Sequence, residues 1–222
     1  QHIFYSFCGR HNNCHSNSSE AVTISHVAGK KNIHEEVLVI PGKNYRFYAN
    51  FLEDRLFSRF YEEIYVKAIN KSVEIICGNE FRINKINLIR SESYKDLARS
   101  LKISEFIISF LSPSLLVMNG LGYLFPVPRC LLKGYQEKWN KFCDQGMSLD
   151  NDLIEDISEA ICVTKHKLET ACISISQKEL TGFIGKCQYK LTRELPDASI
   201  MKLGYLLRFS SYCGTGAFTS FG

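Results

Sequence analysis

No stretch of this chain is apolar for long enough to cross a bilayer. The most hydrophobic segment, residues 106–125, is interrupted by Ser109, Ser112, Pro113, Asn119 and two glycines. That pattern suits a strand, a turn and a second extended piece, and it excludes a membrane span. A secretory signal is also missing. So is a strong excess of charge: 27 Lys and Arg stand against 23 Asp and Glu, a net +4, so any surface for a polyanion has to come from local clustering. The nine cysteines are odd in number and show no paired spacing, which argues against a disulfide framework. Cys77, Cys162 and Cys172 lie in apolar, strand-like runs, as buried reduced thiols of a cytoplasmic protein do. Two glycosylation sequons, Asn17-Ser18-Ser19 and Asn70-Lys71-Ser72, mean nothing without secretion. Cys8, His11, Cys14 and His15 form a compact group, but its spacings match neither a zinc finger nor a ribbon and no second ligand pair follows, so no metal and no cofactor is expected. No internal sequence repeat is visible.

What the chain does have is concentrated at its end. Residues 204–222 read as an amphipathic helix running into a loop with Gly214, Gly216 and Gly222. Glycines at that density let several backbone N–H groups turn outward together, forming a nest that suits a phosphate. A helix cap followed by a tight turn would use the same residues. Arg193, Lys202 and Arg208 precede the loop, and Arg129, Lys133 and Lys138 lie on an earlier helix, so the simplest ligand is a polyanion. Trp139 and Phe142, three positions apart, fit a helix core better than a stacking platform.

Periodicity supplies the elements. A short apolar helix is expected over 2–10, then a polar loop, and a strand over 22–27. Residues 45–52 alternate as a half-buried strand does, and Asp54 is placed to cap a helix over 55–69. A hairpin follows, 72–77 with 81–89, turning at Gly78-Asn79. A second unit begins near Ile103 with a strand over 104–111, a proline-opened helix over 128–142 and a shorter helix over 149–160. Two strands, 165–176 and 182–191, then meet at Gln177-Lys178-Glu179, and a last helix covers 198–210. Each half approximates the split βαβ order, which makes the expected fold α+β, with two tandem ferredoxin-like (RRM-like, βαββαβ) domains over 1–102 and 103–222. The outermost strands would then lie outside the chain. Gln1 opens directly into a helix and Gly222 ends inside a loop, so a segment of a longer protein is expected.

Several short motifs in order resemble one family, the CRISPR-associated endoribonucleases that process repeat RNA, within the RAMP superfamily. Ala21-Val22-Thr23-Ile24-Ser25 is similar to its PFTIS strand, and Phe110-Leu111-Ser112-Pro113-Ser114 to its FLSPT stretch. Pro126-Val127-Pro128 with Trp139-Asn140 resembles its PxP segment and the helix that follows. Gly182-Phe183-Ile184-Gly185-Lys186 resembles its GFVG strand, and residues 212–216 with 219–222 its glycine-rich loop. The resemblance implies metal-independent cleavage of precursor CRISPR RNA within repeats, the RNA's own 2′-OH attacking the adjacent phosphate to leave a 2′,3′-cyclic phosphate. The alternative on the same fold is a catalytically silent RNA-binding module within a larger adaptation or effector protein.

Such chemistry needs a proton acceptor, a proton donor and a partner for the developing charge. Histidine suits the proton transfers. By resemblance the catalytic histidine stands shortly before the PFTIS-like strand, where His15 is closest and His11 is the alternate, although a loop histidine can equally be a solvated polar residue. Tyr5 matches a tyrosine that orients the phosphate in some members, or else an apolar helix face. The lysine some members place before that strand is not matched, since Glu20 stands there; Lys30 and Lys31 are the nearest substitutes. Arg129, Lys133, Arg193, Lys202 and Arg208, with Gly214, Gly216 and Ser220, are the expected RNA-binding residues. CRISPR repeat RNA is the expected partner, and a fused reverse transcriptase and integrase, or other CRISPR proteins, are further ones.

Overall fold

The computed structural model describes residues 21–25, 40–76, 79–99, 102–175 and 178–216. In the first half, β1 (Val22–Ile24) pairs antiparallel with β2 (Ala49–Phe51), and β3 (Val73–Ile76) with β4 (Asn79–Arg82), in two separate two-stranded sheets. β2 is shorter than the alternation over 45–52 suggests, and the end of the strand expected over 22–27 lies outside the described residues. Between the sheets runs α1 (Asp54–Ile69). Glu53, not Asp54, takes its N-cap position and makes no side-chain cap bond; Asp54 is the first helical residue, where its charge favours the positive end of the helix dipole. The helix expected over 2–10 lies outside the described residues. A one-turn helix, α2 (Tyr94–Leu97), was not foreseen; Ser93 caps it by accepting from Asp96 N–H.

The second half holds the larger sheet. β5 (Glu105–Ser114), β8 (Ile161–Ile175) and β9 (Lys178–Leu191) pair antiparallel in the order β5-β9-β8. That is the arrangement of three of the four strands of a ferredoxin-like unit, with β9 in the middle. Between β5 and β8 lie a small hairpin, β6 (Leu116–Met118) with β7 (Leu121–Tyr123), then α3 (Pro128–Phe142) and α4 (Asn151–Glu159). α5 (Asp197–Cys213) closes the described chain. α3 begins where the sequence places it because Pro128 sits in the first turn, where its missing N–H costs nothing.

One face of the three-stranded sheet is the core. Phe106, Phe110, Phe183, Cys187 and Tyr189 point into a buried cluster with residues of α3, α4 and α5. Phe106 stacks on Tyr189 with ring centroids 5.0 Å apart, and Phe110 meets Phe183 edge-on at 4.8 Å. Trp139 is wholly buried; its indole N–H donates to Met147 O at 2.8 Å and its ring meets Tyr94 and Phe209 edge-on, both at 5.4 Å. Pairing along β8 shifts between Val163 and Lys165, a bulge at Thr164. Before it Ile161 and Val163 face the core; after it Leu168 does, so the inward set changes from odd to even positions. Lys165 and Lys167 therefore face away from the helices.

The cysteines divide differently from the sequence expectation. Cys130 and Cys213 on helices and Cys187 on β9 are buried, whereas Cys162, on the face of β8 away from the helices, is half-buried and Cys172, on the same face as Leu168, is exposed. Cys77 lies outside the described residues. No helix among the described residues is long and apolar enough to cross a membrane.

Candidate functional site

The strand β1 and the end of α5 meet. Thr23 is buried, and its hydroxyl donates to Tyr212 O at 2.8 Å while accepting from Asn50 Nδ2 at 3.0 Å. This joins the start of the first half to the residue two positions before Gly214. Ser25 extends the seam along β2, its hydroxyl accepting from Tyr48 N–H at 2.8 Å. His15 lies six positions before Ala21 in sequence, and six residues of extended chain reach at most about 20 Å. His11 and His15, with Tyr5, Lys30, Lys31, Ser220 and the Cys8/Cys14 group, lie outside the described residues.

The glycines have separate duties. Gly214 is the C-cap of α5, with φ 66°, and its N–H donates to Ser210 O at 3.1 Å, so this amide is already used by the helix. Gly216 has φ 95°, and a Cβ there would stand 2.8 Å from Leu115 O. It is the residue that lets the chain pass close to the end of β5. Between them Thr215 Oγ1 lies 2.6 Å from the hydroxyl of buried Tyr135 on α3, whose phenol burial holds well above its usual pKa and therefore neutral. Lys138, one turn on, donates to Cys213 O at 2.9 Å and satisfies a helix-terminal carbonyl.

Among the other expected cations, the structure gives most a protein partner. Arg129 pairs with Glu155 at 2.6 Å and Arg193 with Asp156 at 2.5 Å, each across a helix surface. Lys133 is exposed on α3 and Lys202 half-buried on α5. Arg208 donates to Glu92 at 2.5 Å and to Asp96 O at 3.0 Å, so its guanidinium fastens the segment leading into α2 onto α5. Glu92 also accepts from the Tyr212 hydroxyl at 2.5 Å and from Arg90 at 2.7 Å. These contacts, the Tyr212 hydrogen bond first, lower the Glu92 pKa, while burial and that same bond raise the Tyr212 phenol to about 12. Tyr212 is thereby held at both ends, its carbonyl by Thr23 and its hydroxyl by Glu92. Thr23 and Tyr212 were visible in the sequence as parts of motifs; Asn50 and Glu92 carried no sequence signal, because their role depends on contacts over 27 and 120 positions. Among the described residues no group of three or more His, Cys, Asp or Glu could hold a metal ion.

Two ferredoxin-like halves joined by the Thr23–Tyr212 hydrogen bond define a tandem ferredoxin-like α+β protein. Residues 108–222 match the family model described as CRISPR-associated endoribonuclease Cas6, and the chain belongs to that family. A CRISPR-associated endoribonuclease Cas6 of Streptococcus thermophilus is 26% identical over 117 residues, covering 53% of this chain and 47% of that protein, so the match spans about half the curated relative. The fold is similar to that of a solved Cas6 product complex, with a TM-score of 0.79 at 19% identity over 100% of this chain and 88% of the other. It is likewise similar to a solved histidine-to-alanine mutant of Cas6, with a TM-score of 0.74 at 20% identity over 100% and 87% of the two chains.

Proposed function

We propose that this protein is an endoribonuclease that cuts precursor CRISPR RNA within its repeats without a metal ion. The 2′-oxygen forms a bond to the adjacent phosphorus, the bond from phosphorus to the 5′-oxygen breaks, and a 2′,3′-cyclic phosphate and a 5′-hydroxyl result. His15, with His11 as the alternate, takes the proton from the 2′-OH or returns one to the leaving 5′-oxygen, and Tyr5 orients the phosphate. Lys30 or Lys31 supplies the cation that Glu20 does not, and the loop following Gly214, with Ser220, supplies donors to the phosphate. In this reading the two units are 1–102 and 103–222, and the RNA crosses their junction.

The observation that carries the proposal is the Thr23–Tyr212 hydrogen bond, which ties the strand after the histidine segment to the entrance of the glycine loop. Family membership supports the substrate class. A second reading, an RNA-binding module without cleavage, is favoured by Glu20 standing where a lysine would serve the transition state.

The test is cleavage of labelled repeat RNA in EDTA by the wild type, H15A and H11A, with a parallel substrate carrying a 2′-deoxy residue at the cut. Cleavage that survives EDTA, fails on the deoxy substrate and disappears in one histidine variant with binding intact is the expected result. Tight binding with no cleavage establishes the second reading; activity lost in EDTA removes the metal-free mechanism.

A further inference from the structure

The outward face of the β5-β9-β8 sheet carries lysines that have no counter-ion among the described residues. Lys165 and Lys167 on β8 and Lys186 and Lys190 on β9 are all exposed there, on the side the helices leave open. Of the other described cations, Arg129 has Glu155, Arg193 has Asp156 and Lys102 has Asp197, while Lys85 and Lys133 also stand exposed with no carboxylate within 4.0 Å. Among the described residues none of the four sheet lysines has a carboxylate within 4.0 Å.

The register sets the sheet lysines apart. Lys167 stands directly opposite Lys186, and like charges so placed repel. Lys190 stands opposite Glu105 and Lys165 opposite Gln188, but the Glu105 carboxylate accepts a hydrogen bond from Gln188 instead. Glu169, the next outward residue of β8, is opposite Ile184. The bulge at Thr164 is what turns Lys165 and Lys167 outward; without it the parity of Ile161 and Val163 would aim them at the core.

We infer that this face holds an extended single strand of RNA by its phosphates, the strand leading from the cleavage site; the inference rests on the RNA-processing reading above. Outward residues along a strand repeat every ~6.6 Å, so Lys190 to Lys186 spans about 13 Å. Continuing in the same direction along β5, from Ser109 opposite Lys186 to Ser114, brings the sheet to Leu115, whose carbonyl lies against Gly216. The lysine row therefore points at the glycine loop. The outward residues of β5 are Glu105, Ile107, Ser109 and Leu111, with no aromatic ring to stack a base, so the grip is on backbone charge and reads no sequence. This alignment with the glycine loop favours the RNA engaged there over an acidic protein as occupant.

The test is the salt dependence of binding, measured by fluorescence anisotropy on a repeat RNA with both single-stranded flanks and a 2′-deoxy residue at the cut. The wild type is compared with K167Q/K186Q and with K85Q, a control on an exposed loop lysine. Removing one lysine–phosphate pairing to a single strand flattens the slope of log K against log salt by about 0.7. K167Q/K186Q removes two and is expected to flatten it by about 1.4, with K85Q unchanged. An unchanged slope in K167Q/K186Q, or an equal change in K85Q, overturns the inference. So does loss of polyglutamate binding in K167Q/K186Q with RNA binding intact, which would assign the face to an acidic protein. If K167Q/K186Q fails to fold, K165Q/K190Q carries the same slope test. A wild type that binds but never cleaves removes the nuclease reading while leaving this one standing; a wild type that cleaves while the slopes do not move does the reverse.

Discussion

Thr23 and Tyr212, 189 positions apart, are joined by a hydrogen bond of 2.8 Å in which the threonine hydroxyl donates to the tyrosine carbonyl. The same oxygen accepts from Asn50 at 3.0 Å, so its bonding capacity is used on both sides. Removing it leaves a buried acceptor and an amide donor short of a partner at the seam between the halves.

T23V is expected to destabilise the fold by about 1–2 kcal/mol, the cost of unpaired buried polar groups. In the nuclease reading it also lowers the single-turnover cleavage rate more than it weakens RNA binding, because it loosens the placement of one loop against the other. T23S restores the hydroxyl and both properties. Denaturant midpoints together with single-turnover kinetics check this; equal losses in rate and affinity would show that Thr23 serves stability alone.

Glu92 makes a pH prediction with a definite sign. Its carboxylate pKa is lowered by the Tyr212 hydroxyl first, opposed by desolvation and helped by Arg90 and Arg208. A lowered folded-state pKa means stability that is present above the unfolded value of about 4.3 and lost as pH falls through the folded value. The wild type is expected to exceed E92Q by about 1–2 kcal/mol at neutral pH, and the gap should close in acid below the ordinary carboxylate range. The Tyr212 phenol, raised to about 12, contributes below its ordinary pKa and stops contributing as pH rises through 12. Urea midpoints across pH for the two proteins read out both limbs.

Two glycines should respond oppositely to alanine. Gly216 combines φ 95° with backbone in the way of a Cβ, Leu115 O at 2.8 Å, so G216A is strained on two counts. Gly134 lies within α3 with nothing within 4 Å of a Cβ. G134A is expected to stabilise by about 0.8–1 kcal/mol from helix propensity, while G216A lowers the melting temperature. A scan by differential calorimetry distinguishes them.

The parts of this fold that were legible in sequence were those whose signal is local. α3 begins and ends where Pro128 and the apolar spacing place it, and the long antiparallel strands β8 and β9 follow from alternation, although each runs several residues further than the pattern alone suggests. β2 was overestimated: of the alternating residues before Ala49, Arg46 forms only an isolated bridge and Tyr48 a single backbone bond to Ser25, while the far end expected for β1 lies outside the described residues. The glycine-rich end was read as a phosphate nest or a helix cap; Gly214 does cap, and Gly216 admits a close approach that only the position of Leu115 explains. The lysine row was hidden because Lys165-His166-Lys167 reads as ordinary strand alternation, and its opposition to Lys186 depends on register. Burial of Cys187 in place of Cys162 likewise depended on which face of the sheet the helices cover.

Opposed lysines predict a trade between stability and binding. K167E places a carboxylate opposite Lys186 and converts a repulsive cross-strand pair into an attractive one, worth about 0.2–1 kcal/mol. The variant should unfold at higher denaturant than the wild type while binding RNA less tightly. An unfolding midpoint below that of the wild type would show that the two ammonium groups are too well solvated to oppose each other.

The extra residue at Thr164 makes β8 unusually sensitive to length. Deleting Thr164 joins Val163 directly to Lys165 and leaves Lys165 and Lys167 outward and Leu168 inward, whereas a deletion beyond Leu168 that absorbed the bulge would drive Lys165 and Lys167 toward the helices and put Leu168 in solvent. Loss of the Thr164 codon should therefore be far better tolerated than loss of one codon just beyond Leu168. The strand thus stores its inside-out assignment in a count of residues as much as in their identity.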